Sequence, residues 1–283
     1  MYKPFNRINT VCSTVFILFL SFSPPLLSKN IFTVGVQNFS EYHPYSEFKN
    51  NLYSGFNREL LDMFAASHNY TFNYKARPIK RLYAEYTAGK FDFKYPDNAL
   101  WQKQLKSTIK IKYSSSVVEY TDGIMLLPAK KGTLLNELKS ISAINGFTLP
   151  EAYLHRERQG QLAIVRTTDY KRLLQLALEG RVDGAYFNTA ISSHYLSHSG
   201  YKTDALVFDS SLPFLRNQRT LSSIKYPAVI KQFDQFLVER EDDIAELKKR
   251  YGLLSEPDKR HVHQYQHDQK SPVVKTLPKN KNK

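Results

Sequence analysis

The sequence predicts an α/β fold built as two similar lobes. β-rich runs alternate with amphipathic helices from Ile31 to Tyr251, the order that a sheet covered by helices requires. A second observation is a repeat. Gly89-Lys90-Phe91-Asp92 and Gly180-Arg181-Val182-Asp183 each end a helix and start a strand, 91 residues apart, and lead to Asp97 and Asn188. Two copies of one helix–glycine–basic–x–aspartate–strand unit point to two related lobes.

In chain order, Lys3 and Arg7 precede an apolar run, Val15 to Leu20 with Phe22, that stops at Pro24 and Pro25. The run is shorter than the roughly 20 residues a spanning helix needs, so residues 1–28 are expected to be a cleaved signal peptide. The single cysteine, Cys12, lies inside that segment. The mature chain would then carry no thiol, disulfide or cysteine-ligated metal, and no cofactor or metal is expected. No later stretch is apolar for long enough to cross a bilayer.

Ile31 to Val36 is the first strand, followed by an aromatic loop interrupted at His43, Pro44 and Tyr45. Phe56, Leu60, Leu61, Phe64 and Ala65 recur at helical spacing after Gly55. Pro78 opens a second helix with Ile79, Leu82, Tyr83 and Tyr86 on one face, Gly89 closes it, and a strand Phe91 to Tyr95 follows, giving a β, α, α, β order. Farther on, Thr133 to Lys139 is expected to be a short helix and Ile141 to Ile144 a strand. Gly146, Phe147 and Thr148 turn into another helix, Thr168 caps the next, and a strand Val182 to Phe187 comes after Gly180. The last helix is expected to run unbroken from about Ala228 to Tyr251. Residues 258–283 hold seven Lys or Arg against two Asp and no apolar period, and are expected to be a disordered basic tail. Its His261, His263 and His267 stand on no rigid element that would hold a metal.

Net charge is +14 at pH 7, of which that tail supplies +5 and residues 1–28 supply +2. The remaining basic residues are scattered, which together with export argues against a nucleic-acid partner.

The segments GFNRELLDMFA (55–65), RPIKRLYAEYTAGKFD (77–92), YSSSVVEYTDGI (113–124), GRVDGAYFN (180–188) and FDQFLVEREDDIAELKKRYGL (233–253) resemble family 3 of the bacterial extracellular solute-binding proteins, the polar amino-acid importer receptors. The resemblance implies a periplasmic-binding-protein-like fold, two α/β lobes joined by two crossing strands. Residues 29–125 and 214–257 would form the first lobe and 126–213 the second, with crossings near Ile124–Leu127 and Leu212–Leu215. It implies a monomeric periplasmic receptor that closes on a small polar ligand for an inner-membrane ABC permease. A membrane sensor in place of the permease, or a dehydratase-type enzyme using Asp97 or His43, are the alternatives.

Ligands of open α/β sheets settle beyond the carboxyl ends of the strands. The candidates there are Tyr42, Tyr45, Asp97, Asn98 and Trp101 from the first lobe and Gly146, Thr148 and Asn188 from the second, with Arg81 within reach. The aromatic residues offer flat faces with polar tips, and Gly146 and Thr148 precede a helix whose free N–H groups favour an anion. Two departures from the family stand out. The loop PDNALWQKQLK (96–106) lacks the arginine that grips a ligand carboxylate, and Asn188 replaces the aspartate that takes the ammonium.

Overall fold

The computed structural model describes residues 30–253 and Met1. The expected signal peptide, Cys12 and the basic tail lie outside the described residues. The first strand, β1 (Ile31–Gln37), leads through a small hairpin, β2 (Glu47–Lys49) and β3 (Leu52–Ser54), to α1 (Phe56–Ser67). Then come β4 (Thr71–Arg77), α2 (Ile79–Thr87), β5 (Phe93–Asp97), the single turn α3 (Lys103–Lys106) and β6 (Lys112–Tyr113). The expected β, α, α, β order is thus corrected to β, α, β, α, β. β4 is an edge strand in which Phe72 alone is fully buried, so its apolar alternation is faint.

The long strand β7 (Val118–Leu126) leads into the second lobe, which contains β8 (Ser140–Ile144), α4 (Glu151–Arg158), β9 (Ala163–Thr167), α5 (Tyr170–Leu178), β10 (Gly184–Asn188), α6 (Thr189–His198) and β11 (Val207–Phe208). A second long strand, β12 (Leu215–Ser223), returns to the first lobe, followed by α7 (Pro227–Glu239) and α8 (Glu241–Arg250). The helix expected over Thr133–Lys139 is a set of turns, because only Leu138 of its three leucines is buried and Leu134 points to solvent. The unbroken final helix is two helices that meet at Arg240. Asp169, not Thr168, caps α5, its carboxylate accepting from Lys171 N.

One sheet runs through both lobes in the order β4-β1-β5-β12-β7-β10-β8-β9. β4, β1 and β5 are parallel, as are β10, β8 and β9. Between these two blocks β7 and β12 pair antiparallel, Val118–Asp122 against Leu215–Arg219. This ribbon is the crossing; its mutual pairing lies earlier in the first strand and later in the second than expected.

The repeat has a physical basis. Asp92 accepts from Thr33 N at 2.9 Å and gives its own N–H to Thr33 O, pinning the start of β5 to β1. Asp183 accepts from Ser140 N at 2.9 Å and donates to Ser140 O, doing the same for β10 and β8. Gly89 and Gly180 take the left-handed turn before each aspartate, with φ of 71° and 68°. The first lobe's core is aromatic, with Phe32, Phe64, Phe72, Phe93 and Phe233 in edge and tilted contacts. Truncating any of these to Ala would remove about 3–5 kcal/mol.

Candidate functional site

The strand ends of the two lobes face each other across a small cavity of about 20 Å³, lined by Gln37, Tyr42, Ile79, Tyr83, Trp101, Asp122, Gly146, Phe147, Thr148 and Arg219. The lobes meet around it. Gln102 Nε2 donates to Gly146 O at 2.8 Å and its backbone N–H to Thr148 Oγ1 at 3.2 Å. Lys171 pairs with Glu41 at 2.6 Å, and Tyr42 packs edge-on against Phe187. The cleft is therefore closed.

The charges in its walls come from the crossing strands. Arg219 is 1% exposed, and its guanidinium carbon lies 3.9 Å from the centroid of the Tyr45 ring and 5.6 Å from those of Tyr42 and Tyr120. Its Nε and Nη1 have no hydrogen-bond partner among the described residues. Such donors are expensive to bury and are ready for an acceptor. On β7, Asp122 is buried and accepts from Asn188 Nδ2 at 2.9 Å. Burial pushes its carboxyl up to about 6, against the opposing pull of Arg219 and the Asn188 bond. Burial also raises the Tyr42 and Tyr45 hydroxyls, which stay protonated as neutral donors.

Tyr42, Trp101, Gly146 and Thr148 of the sequence candidates line the cavity. Trp101 is fixed by its Nε1–H, which donates to Tyr120 Oη at 2.7 Å. Tyr45 carries Arg219 from beneath, and Asn188 acts at one remove: it caps α6 by accepting from Ile191 N at 3.2 Å while it orients Asp122.

Three candidates are turned elsewhere. Asp97 is wholly buried behind the wall, where Ser222 Oγ donates at 2.7 Å, Asn98 N at 2.9 Å and Tyr83 Oη at 3.2 Å, and Lys94 and Lys106 Nζ lie at 3.3 and 3.4 Å. Internal donors thus occupy both of its oxygens. Asn98 Nδ2 is taken by Asn217 Oδ1 and Gln218 O, and its Oδ1 accepts from Leu100 N, so it holds a turn. Arg81 is exposed and paired with Glu85.

Asp122 and Arg219 are the residues that sequence reasoning missed. Their signal was phase. Val118, Tyr120, Asp122 and Ile124 share the buried face of β7, and Arg219 shares the buried face of β12 with Leu221 and Ser223. A charge on the inward phase of a strand has to be compensated inside the protein.

No family model matches the sequence and no curated protein matches it. Solved structures do match in fold. A histidine kinase sensor domain with similarity to periplasmic binding proteins is 15% identical with a TM-score of 0.64, over 78% of this chain and 95% of that one. An ABC uptake transporter substrate-binding protein from Streptococcus pneumoniae with bound histidine is 17% identical with a TM-score of 0.62, over 78% and 92%. An ancestral amino acid-binding protein, a precursor of cyclohexadienyl dehydratase, is 16% identical with a TM-score of 0.59, over 78% and 95%. The architecture is the two-lobed fold of the periplasmic binding proteins.

Proposed function

We propose that this chain is an exported solute receptor, working in the periplasm, that captures a small polar, amino-acid-like ligand by cleft closure and delivers it to an inner-membrane ABC permease. The first lobe is residues 29–125 with 214–257 and the second is 126–213. The observation that carries the reading is Arg219, buried at the interlobe cavity with two donors free for a ligand's acidic group. Asp122, held by Asn188, offers the opposite charge for a ligand cation. In this site the two crossing strands supply what the loop 96–106 and Asn188 lack.

The site binds rather than converts. Asp122 is the one carboxylate in the lining and its amide clamp suits electrostatic recognition. The match to a kinase sensor domain supports a second reading, in which the closed form is read by a membrane sensor. A thermal-shift screen of polar metabolites on the exported protein, followed by solution scattering with the hit, tests the proposal. Stabilisation with compaction is the expected result. Turnover of the hit by the protein alone would establish an enzyme instead.

A further inference from the structure

The charged groups buried around the cavity do not balance. Arg219 lines it, while Lys94 and Lys106 stand behind its aromatic wall, with Lys94 Nζ 4.2 Å from the centroid of the Tyr83 ring and 5.7 Å from that of Trp101. Both ammonium groups are buried, and each donates to a backbone carbonyl at 2.6 Å, Lys94 to Pro96 O and Lys106 to Asn98 O. Against these three cations stand two carboxylates, Asp97 between the lysines and Asp122 across the cavity. The other buried acids belong elsewhere. Asp92 pairs with Lys225, and Asp209 accepts from Gly132 N and from the backbone N and hydroxyl of Ser211 in the second lobe. The cavity is thus surrounded by one uncompensated positive charge in a medium of low polarity.

Building on the receptor reading above, we infer that the ligand carries a net charge of about −1, with one more acidic than basic group, as in an acidic amino acid. Such a molecule places one acidic group on Arg219 and a cation beside Asp122, and its second acidic group offsets the buried lysine excess. A neutral zwitterion leaves that excess standing, and a cationic ligand doubles it. Burial lowers both lysines, Lys94 to about 8, against the opposing pull of Asp97; at Lys94 the neighbouring Lys106 and, less strongly, Arg219 add repulsion. Gln37 and the Thr148 hydroxyl also line the cavity and supply neutral donors for the second acidic group.

The test uses charge-neutral twins. Calorimetry of the exported protein at pH 7 compares L-glutamate with L-glutamine and L-aspartate with L-asparagine, with L-lysine as the cationic probe. The better acid is expected to bind about tenfold or more tightly than its amide twin, the scale of one unit charge acting across ~10 Å at protein-like screening. Lys106→Gln, which keeps a donor for Asn98 O, should shrink that preference to about threefold or less. Equal or tighter binding of an amide or of lysine overturns the inference, as does an unchanged preference in Lys106→Gln; if that variant fails to fold, the wild-type ratio decides alone. If none of the five binds, the net charge of whatever the metabolite screen finds decides: zero or positive overturns it. Should no small polar compound bind or compact the protein, the receptor reading itself fails.

Discussion

Arg219 lies on the ring of Tyr45 at 3.9 Å, and no carboxylate of the described residues comes within ion-pair distance of it. Asp122 lines the same cavity from the neighbouring strand. A buried cation that rests on an aromatic face and not on an anion is costly to the unliganded protein. Arg219→Met should therefore abolish measurable binding, a loss of about 3 kcal/mol or more, while leaving the unliganded protein as stable as before or more so. Calorimetry with the screened ligand and a thermal melt without it check both halves. A variant that melts early and still binds would refute the assignment.

Asp122 makes stability depend on pH. Its folded value, about 6, lies above the ordinary 3.8, so proton binding favours the folded form. The stability it contributes is fully present below pH 3.8 and is lost as pH rises through about 6. Asp122→Asn removes the dependence, and the replacement amide still presents an oxygen to Asn188. In denaturant titrations the variant should exceed wild type above pH 7 by on the order of 3 kcal/mol, with the difference fading towards pH 4.

Gln102 reaches from the first lobe to the second through two hydrogen bonds that span the closed cleft. Gln102→Ala removes the side-chain bond to Gly146 O. The expected cost is about 1 kcal/mol in affinity, seen in stopped-flow traces as faster ligand release. The melting temperature without ligand should barely change.

Gly146 sits at φ 91°, and a Cβ there would stand 3.1 Å from Ile79 Cγ2 and from Lys80 Cγ, both of the opposite lobe. Gly146→Ala strains the turn by roughly 1–3 kcal/mol and also wedges the closing surfaces apart. Its ligand complex should scatter as a more extended particle than that of wild type, and affinity should fall by more than stability does.

Much of the architecture was legible because its helices are amphipathic and its turns are marked. Gly89 and Gly180 stop helices where the left-handed conformation is needed, and Asp92 and Asp183 sit where a strand start must be pinned. The edge strands escaped notice: β4 and β9 bury too little apolar surface for a period of two to show. The final helix read as continuous because Phe233, Phe236, Ile244 and Leu247 keep helical spacing through the break at Arg240. At the site, the aromatic wall is visible in the sequence as Tyr42, Tyr45 and Trp101, whereas Asp97 and Asn98 stand out there only by following a strand-forming run. That rule locates a cleft but does not say which way a side chain turns, and Asp97 turns to the lysines. Arg219 and Asp122 lay within strands, where only the alternation of inward and outward positions reveals a charge aimed inward.

The placement of Asp122 and Arg219 on β7 and β12 also orders events in time. In the closure proposed above, the lobes rotate about this ribbon, and atoms nearest a rotation axis are displaced least. The two charges therefore keep their spacing whether the jaws are apart or together, so an incoming ligand meets a finished electrostatic seat before any rim contact has formed. Association is then governed by diffusion to that seat and by the salt in solution, and residence time by Gln102, Lys171 and Glu41 at the lips. A change at the lips would alter how long the cargo stays and leave untouched how quickly it is caught.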